Sequence, residues 1–508
     1  MITFTGGIIG YVASLFASIF ESSQSGKGKL FVYQHILILN WNTKALELIA
    51  DYQYDDETTT VVILSSIDKE IIESAIKRKF YDSKNKQHMK LNVIVRQGEV
   101  FSKIDLENVC IEQAKTIIIL ADEEPSDHLI EKNADILAMK TVMLVSNMNI
   151  KPEQTVIVEI KQKETAALIH DRIAERMGFG NQVITIFPDE LMGRLIAQTI
   201  LMPDLNHVYQ ELFSFEGVEV YTVPETDAKV FMETHSHGIP IFNHHNHLFV
   251  IAENYKSLDM TREYPLDRYQ SIIINEQNRY HTKNIIVFGR NNKLDYILDS
   301  IELYQKENNT KVNVTLIESN DVAVIEKSTK EIEHIDTILI LSRDYLEPKD
   351  YDSDVLVTLL LIQDIAKTHQ AEIIIELLDP RHYDIAQSYN IQNTIISNKY
   401  VSRLMTQLSK NRYLNDFYLD LLTYDEADAT EETYEIYAYQ AHDIIDQPFP
   451  LTFASKADFI YSCYQSGKED YIVIGLLKNN TLNLFKGNLD EGGPLIIEKE
   501  DVIITICK

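Results

Sequence analysis

Asp122, Glu123, Glu124 and Asp127 place four carboxylates within six residues, directly after the apolar run TIIIL and Ala121. Ca2+ takes hard oxygen donors in groups of six to eight, so this segment reads as a candidate Ca2+ site, with a solvated acidic loop as the competing reading. Polar side chains also close the other early apolar runs: Asn40, Asn42 and Thr43, then Ser65, Ser66 and Asp68, then Arg96, Gln97 and Gly98. Of these, Asn40, Asn42, Thr43, Ser65, Asp68, Arg96 and Gly98 are the candidate ligand-binding residues, because parallel sheets bind ligands beyond the carboxyl ends of their strands. A second cluster is His235, His237, His244, His245 and His247. Alternating imidazoles on one strand face could hold Zn2+, but no cysteine or acid in the run completes a site, and Gly238-Ile239-Pro240 reads as an exposed turn.

Other chemistries lack their residues. A dinucleotide site needs glycines after the first strand so that backbone N–H groups can approach a pyrophosphate, and here that turn is Asn40-Trp41-Asn42-Thr43. The second strand ends Leu64-Ser65-Ser66, without the acid that holds a ribose, and Gly178-Phe179-Gly180 reads as a helix C-cap. NAD or another nucleotide is therefore not expected. Neither a nucleophile elbow nor a Walker loop occurs, so the chain is expected to be no enzyme.

The elements that must position these residues are short Val/Ile/Leu runs alternating with amphipathic stretches: HILILNW, TTVVILSS, KLNVIVRQG, TIIILAD and TVIVEI. Such runs, separated by helical segments, predict a parallel sheet covered on both faces, an α/β Rossmann-like lobe. The same pieces return. HILILN at 35–40 is echoed by NIIVFG at 284–289, offset 249; KTIIILAD at 115–122 by DTILILSR at 336–343, offset 221. VIVEI at 156–160 is echoed by IIIEL at 373–377, offset 217, and MGRLIAQTI at 192–200 by VSRLMTQLS at 401–409, offset 209. The fall from 249 to 221 predicts a second copy shorter by one strand-helix step. A tail with short alternating apolar runs follows each copy.

Residues 2–20 carry no charge and Gly6, Gly10, Ser14 and Ser18 recur every fourth residue, as in a closely packed membrane helix. A signal peptide and a soluble helix compete with that reading. Lys27 and Lys29 would place the chain from Phe31 onward in the cytosol. The 77 acidic and 47 basic residues give a formal charge of −30, which argues against nucleic-acid binding. Three scattered cysteines fit a reducing compartment and supply no disulfide framework.

HILILNW, VVILSSIDKE, VIVRQG, FPDELMGRLIAQTILMPDL, FSFEGVEVY, TILILSRD, VTLLLIQDI, IIIELLDPR, ISNKYVSRLM and NRYLNDF run in order from His35 to Phe417. This set resembles the CASTOR/POLLUX ion channels, whose cytosolic part is two tandem RCK (regulator of K+ conductance) domains. The resemblance implies a pore inner helix at 1–20, a linker at 21–34 and a first RCK lobe at 35–187. A helix-turn-helix and β-rich lobe follow at 188–280, then a shortened second RCK lobe at 281–398 and a second helix-turn-helix with a β-rich lobe at 399–508. It also implies a K+ or Ca2+ channel whose gating ring, eight lobes from four chains, responds to Ca2+ and moves the inner pore helix. Met1 falls where such a subunit would already have passed its selectivity filter, so a pore-forming segment or partner is expected outside this chain as written. The alternatives are a TrkA-like peripheral regulator of a K+ transporter and, more distantly, an NAD-dependent enzyme.

Overall fold

The structure is a computed structural model describing residues 28–54, 58–81, 91–122, 130–170, 183–214, 217–262, 270–274, 282–308, 310–330, 332–343, 346, 350–424, 433–467 and 471–507, with the side chains of 81 and 130–134 excepted. The apolar segment 1–20, the acidic residues Glu123, Glu124 and Asp127, and Gly178-Phe179-Gly180 lie outside the described residues. Among the described residues no helix is long and apolar enough to cross a membrane.

The first lobe is built from β1 (Ile36–Leu39), β2 (Thr59–Ser65), β3 (Leu91–Gln97), β4 (Thr116–Ile119), β5 (Thr155–Glu159) and β6 (Val183–Ile186). All pair in parallel in the order β3-β2-β1-β4-β5-β6. The helices are α1 (Ala45–Asp51), α2 (Lys69–Tyr81), α3 (Lys103–Asn108), α4 (Ile130–Ser146) and α5 (Lys163–Leu168). Leu37, Leu39, Val62, Leu64, Ile117, Val156 and Val158 form one buried cluster with Leu106, Val142 and Val145. Strands this apolar need cover on both faces, which is why helices separate them.

Next come α6 (Pro188–Leu201), α7 (Leu205–Leu212), β7 (Glu219–Pro224), α8 (Ala228–Thr234), β8 (Ile239–His244) and β9 (His247–Ala252), with the antiparallel order β7-β9-β8. Gly238-Ile239-Pro240 is not the exposed turn read from the sequence. Ile239 and Pro240 pair with Ile251 and Val250, and both are buried. Pro240 sits on the outer strand of the three, where a missing N–H is tolerated, and the register shifts between Pro240 and Asn243.

The second lobe holds β10 (Thr282–Phe288), α9 (Leu294–Glu307), β11 (Lys311–Ile317), α10 (Val322–Thr329), β12 (Thr337–Ile340), α11 (Tyr351–His369), β13 (Glu372–Leu377), α12 (Tyr383–Ser388) and β14 (Asn393–Ile396). Its parallel order is β11-β10-β12-β13-β14. Among the described residues it lacks a counterpart of β3, the strand-helix step that the falling offset removes. Then follow α13 (Ser397–Lys410), α14 (Leu414–Leu421), β15 (Glu435–Gln440), α15 (Ala441–Ile444), β16 (Leu451–Phe453), α16 (Lys456–Ser466), β17 (Tyr471–Lys478), β18 (Thr481–Leu484), β19 (Leu495–Ile497) and β20 (Val502–Cys507). These last strands form the sheets β15-β20-β17-β18 and β16-β19.

Compactness divides the chain otherwise than its linear order does. One unit takes the residues up to Pro188 together with Val401–Arg412, and the other takes Asp189–Tyr400 with Tyr413–Lys508. Each lobe is thus covered by the helix that follows the other lobe. In the first unit Thr116 of β4 donates its hydroxyl to the carbonyl of Ser409 at 2.9 Å. In the second, Thr337 of β12 donates to the carbonyl of Ile200 at 3.3 Å. Thr116 and Thr337 stand at the 221 offset, Ile200 and Ser409 at the 209 offset, so one contact is made twice with the helices exchanged.

Candidate strand-end sites and relatives

At the carboxyl end of β1, Asn40 takes a left-handed backbone (φ 78°) and its N–H reaches the carbonyl of Leu64 at 2.8 Å. Asn42 is buried. Its amide nitrogen donates to the carbonyl of Ala121 at 3.1 Å and to Glu159 Oε2 at 3.0 Å, and its Oδ1 accepts the N–H of Lys44 at 3.0 Å. Lys44 Nζ lies 3.1 Å from Glu159 Oε1, and the N–H of Ala121 donates to Glu159 Oε2 at 3.1 Å. A buried carboxylate is thereby paired and hydrogen-bonded at once, the condition under which burial of charge is tolerated. Just ahead of α1, where a pyrophosphate would approach in a dinucleotide-binding lobe, stand these side chains instead.

The second lobe repeats the arrangement. Asn291 donates to Ser342 Oγ at 3.2 Å and to Glu376 Oε2 at 3.1 Å, and Lys293 Nζ lies 3.2 Å from Glu376 Oε1 and 3.3 Å from Asp189 Oδ1. Ser397 also donates to Glu376. Burial opposes the charge on Lys293, but Glu376 and Asp189 more than offset it and hold the ammonium above the usual lysine range. Asn42 and Asn291, and Lys44 and Lys293, share the 249 offset, while Glu159 and Glu376 share the 217 offset. The same 217 relates Asp135 and Asp352, whose carboxylates accept two successive backbone N–H groups after β5 and β13, each at 2.9 Å.

The remaining candidates divide into two places. Ser65 is buried beside β1, and its carbonyl accepts the N–H of Gly98 at 2.9 Å. At Gly98 a side chain would stand 3.0 Å from the side chains of both Leu64 and Asp105, which would have to give way to it. Arg96 ends outer strand β3, two strands from β1; burial lowers its pKa, and its Nε has no acceptor among the described residues. Asp68 is exposed, with Oδ1 accepting the N–H of Glu70 at 2.8 Å ahead of α2, and Thr43 is exposed. Asp122, half-buried, directly follows the Ala121 that Asn42 and Glu159 bind. At the matching position of the second lobe stands Arg343, fully buried, with Nη2 donating to Asn320 at 2.7 Å, Nε to the carbonyl of Glu318 at 3.1 Å, and Nη1 to Asp354.

Lys44 and Glu159 were absent from the residues singled out in the sequence. The signal that could have found them is the repeat itself, which brings two Asn-x-Lys turns and two strand-end glutamates into line. Of the histidines, His235 stacks on Phe231 at 4.2 Å and His237 is hydrogen-bonded to Ser236 at 2.9 Å, while His244, His245 and His247 lie around the tip of the β8–β9 hairpin.

Residues 42–167 match the calcium-activated potassium channel slowpoke-like RCK domain. The ion channel CASTOR of Lotus japonicus is 24% identical over 80% of this chain, and the probable ion channel POLLUX of Arabidopsis thaliana is 21% identical over 92%. The chain spans 56% of the first relative and 65% of the second. The resemblance carried by the ordered strand and helix motifs is thus a resemblance to curated ion channels over most of the chain. Among solved structures, the human SLO3 gating ring superposes with a TM-score of 0.58 at 14% identity, covering 93% of this chain and 99% of that one, which establishes a shared fold.

Proposed function

We propose that this chain supplies the cytosolic gating ring and inner helix of a Ca2+-responsive cation channel, and acts by binding rather than catalysis. The observation that carries this reading is the duplicated lobe with exchanged helices in a fold shared with a gating ring. A chain that exchanges helices in this way passes repeatedly between the two units, which links the lobes covalently at more than one point. The linker supports the same reading. Leu30 is buried, its N–H donates to the carbonyl of Asn108 at 2.7 Å, and its carbonyl accepts from Cys110 Sγ at 3.0 Å, while Gln34 N–H reaches Gln113 O at 2.8 Å. Movement of the first lobe therefore pulls on the segment that precedes residue 28. A ligand that binds one ring shape better than another by a few kcal/mol shifts the populations and moves the inner helix.

The ligand is a divalent cation held by Asp122, Glu123, Glu124 and Asp127. Two points support it over a nucleotide: the turns ahead of α1 and α9 are filled by Asn-Lys-Glu networks, and the second lobe places its own cation, Arg343, at the position of Asp122. Calorimetry on the purified full chain should show Ca2+ binding that weakens at least tenfold, about 1.4 kcal/mol, in the Asp122→Asn/Glu124→Gln variant. Unchanged binding would move the site. Stabilisation by NAD or ATP without any Ca2+ binding would overturn the ligand.

The ring is formed by four chains with the membrane above it. Met143 on α4 and Leu360 on α11, 51% and 53% exposed, occupy matching positions of the two lobes. Exposed apolar residues at equivalent places suit contacts between successive copies.

A further inference from the structure

The β8–β9 hairpin turns through His245 and Asn246, both with left-handed backbone (φ 48° and 61°), and this two-residue turn sets His244 and His245 side by side. Their rings are 4.0 Å apart. The acid that the histidine run lacks in sequence arrives from α14: Asp416 Oδ2 lies 3.2 Å from His244 Nε2 and 3.5 Å from His245 Nε2. The three donor atoms all lie within 4.8 Å of one another. Donors at about 2.0–2.1 Å from a tetrahedral Zn2+ stand roughly 3.3–3.4 Å apart, so the two imidazole-to-carboxylate spacings fit one ion.

The surroundings hold these groups in place. Asn415 donates to Asp416 Oδ1 at 3.3 Å, which leaves Oδ2 toward the imidazoles. His247 Nδ1 is bonded to the carbonyl of His245 at 2.7 Å, and its ring lies 4.4 Å from Tyr413. Beneath the cluster Phe417 of α14 stacks on Phe242 and Phe249, both at 6.0 Å, so hairpin and helix are already joined before any ion arrives. Orienting contacts of this kind tune metal ligands.

We propose that His244, His245 and Asp416 bind a late first-row divalent ion, Zn2+ before others, separately from the acidic cluster of the first lobe. Imidazole donors select this class over Ca2+ and Mg2+. Three protein ligands, His244 and His245 exposed and Asp416 half-buried, leave a fourth position to water, and the bound ion clips the hairpin to α14. The test is calorimetry of metal-free full chain with Zn2+, and the visible spectrum with Co2+. One ion per chain is expected, with tetrahedral Co2+ bands, and affinity falling at least tenfold in both His244→Ala/His245→Ala and Asp416→Asn. The variant His235→Ala/His237→Ala should bind as the unmodified chain does. Circular dichroism and gel filtration of each variant show whether it has folded, and a variant that has not is replaced by His245→Gln. Zn2+ binding that is absent, or equal in the folded variants and the unmodified chain, overturns the proposal; displacement of Zn2+ by an equal concentration of Ca2+ overturns the choice of ion.

Discussion

Glu159 and Glu376 decide what the two strand-end crevices can hold, because each is a buried carboxylate whose charge is met by a lysine from the turn after the first strand. Removing one partner of such a pair leaves an uncompensated buried charge, which costs about 3–5 kcal/mol, whereas removing both costs much less. Denaturant unfolding should therefore find Lys44→Met destabilised by about 3 kcal/mol and Lys44→Met/Glu159→Gln restored by at least half of that. Equal losses in the two variants would mean that the pair contributes nothing beyond packing. At this scale the sequence was legible only in part. Asn42 stood out as a polar residue after an apolar strand, but its partner lies far along the chain and meets it only because β5 joins β4 and β4 joins β1 in the sheet. The charge reversal from Asp122 to Arg343 was likewise written in the offsets, yet its meaning depended on knowing that Asp354 and Asn320 enclose the guanidinium.

Among the elements, the strands were legible because runs of Val, Ile and Leu leave few alternatives to a doubly covered sheet. The exchange of α6 and α13 was not. α6 is apolar on more than one face, which shows that it needs two partners without saying which. In α13, by contrast, Val401, Leu404, Met405 and Leu408 share one face, and the polar residues Ser402, Thr406 and Gln407 are buried as well, which their types do not announce. Gly193 and Ser402, at the 209 offset, show how closely the helices dock. Ser402 Oγ donates to the carbonyl of Lys44 at 3.0 Å, and a side chain on Gly193 would stand 3.0 Å from the carbonyl of Lys293 and 2.6 Å from Tyr296 Cβ. Alanine favours a helix by about 1 kcal/mol over glycine, but overpacking at such a contact costs about 1–3 kcal/mol. Gly193→Ala is predicted to be destabilised by about 1–2 kcal/mol in thermal unfolding, against the direction that helix propensity alone gives. Stabilisation would show that α6 is free to move away from α9.

At the scale of the whole molecule, the proposed ring requires further copies of the chain around one axis. Ligand-driven movement needs both the ring and a site that prefers one of its shapes. Imaging the purified full chain by electron cryo-microscopy, without Ca2+ and at about millimolar Ca2+, tests both together. The account predicts a closed ring of four chains and eight lobes whose diameter at the first lobes changes on adding Ca2+, with the change lost in Asp122→Asn/Glu124→Gln. Single chains, or a ring identical in the two conditions and in the variant, would contradict it.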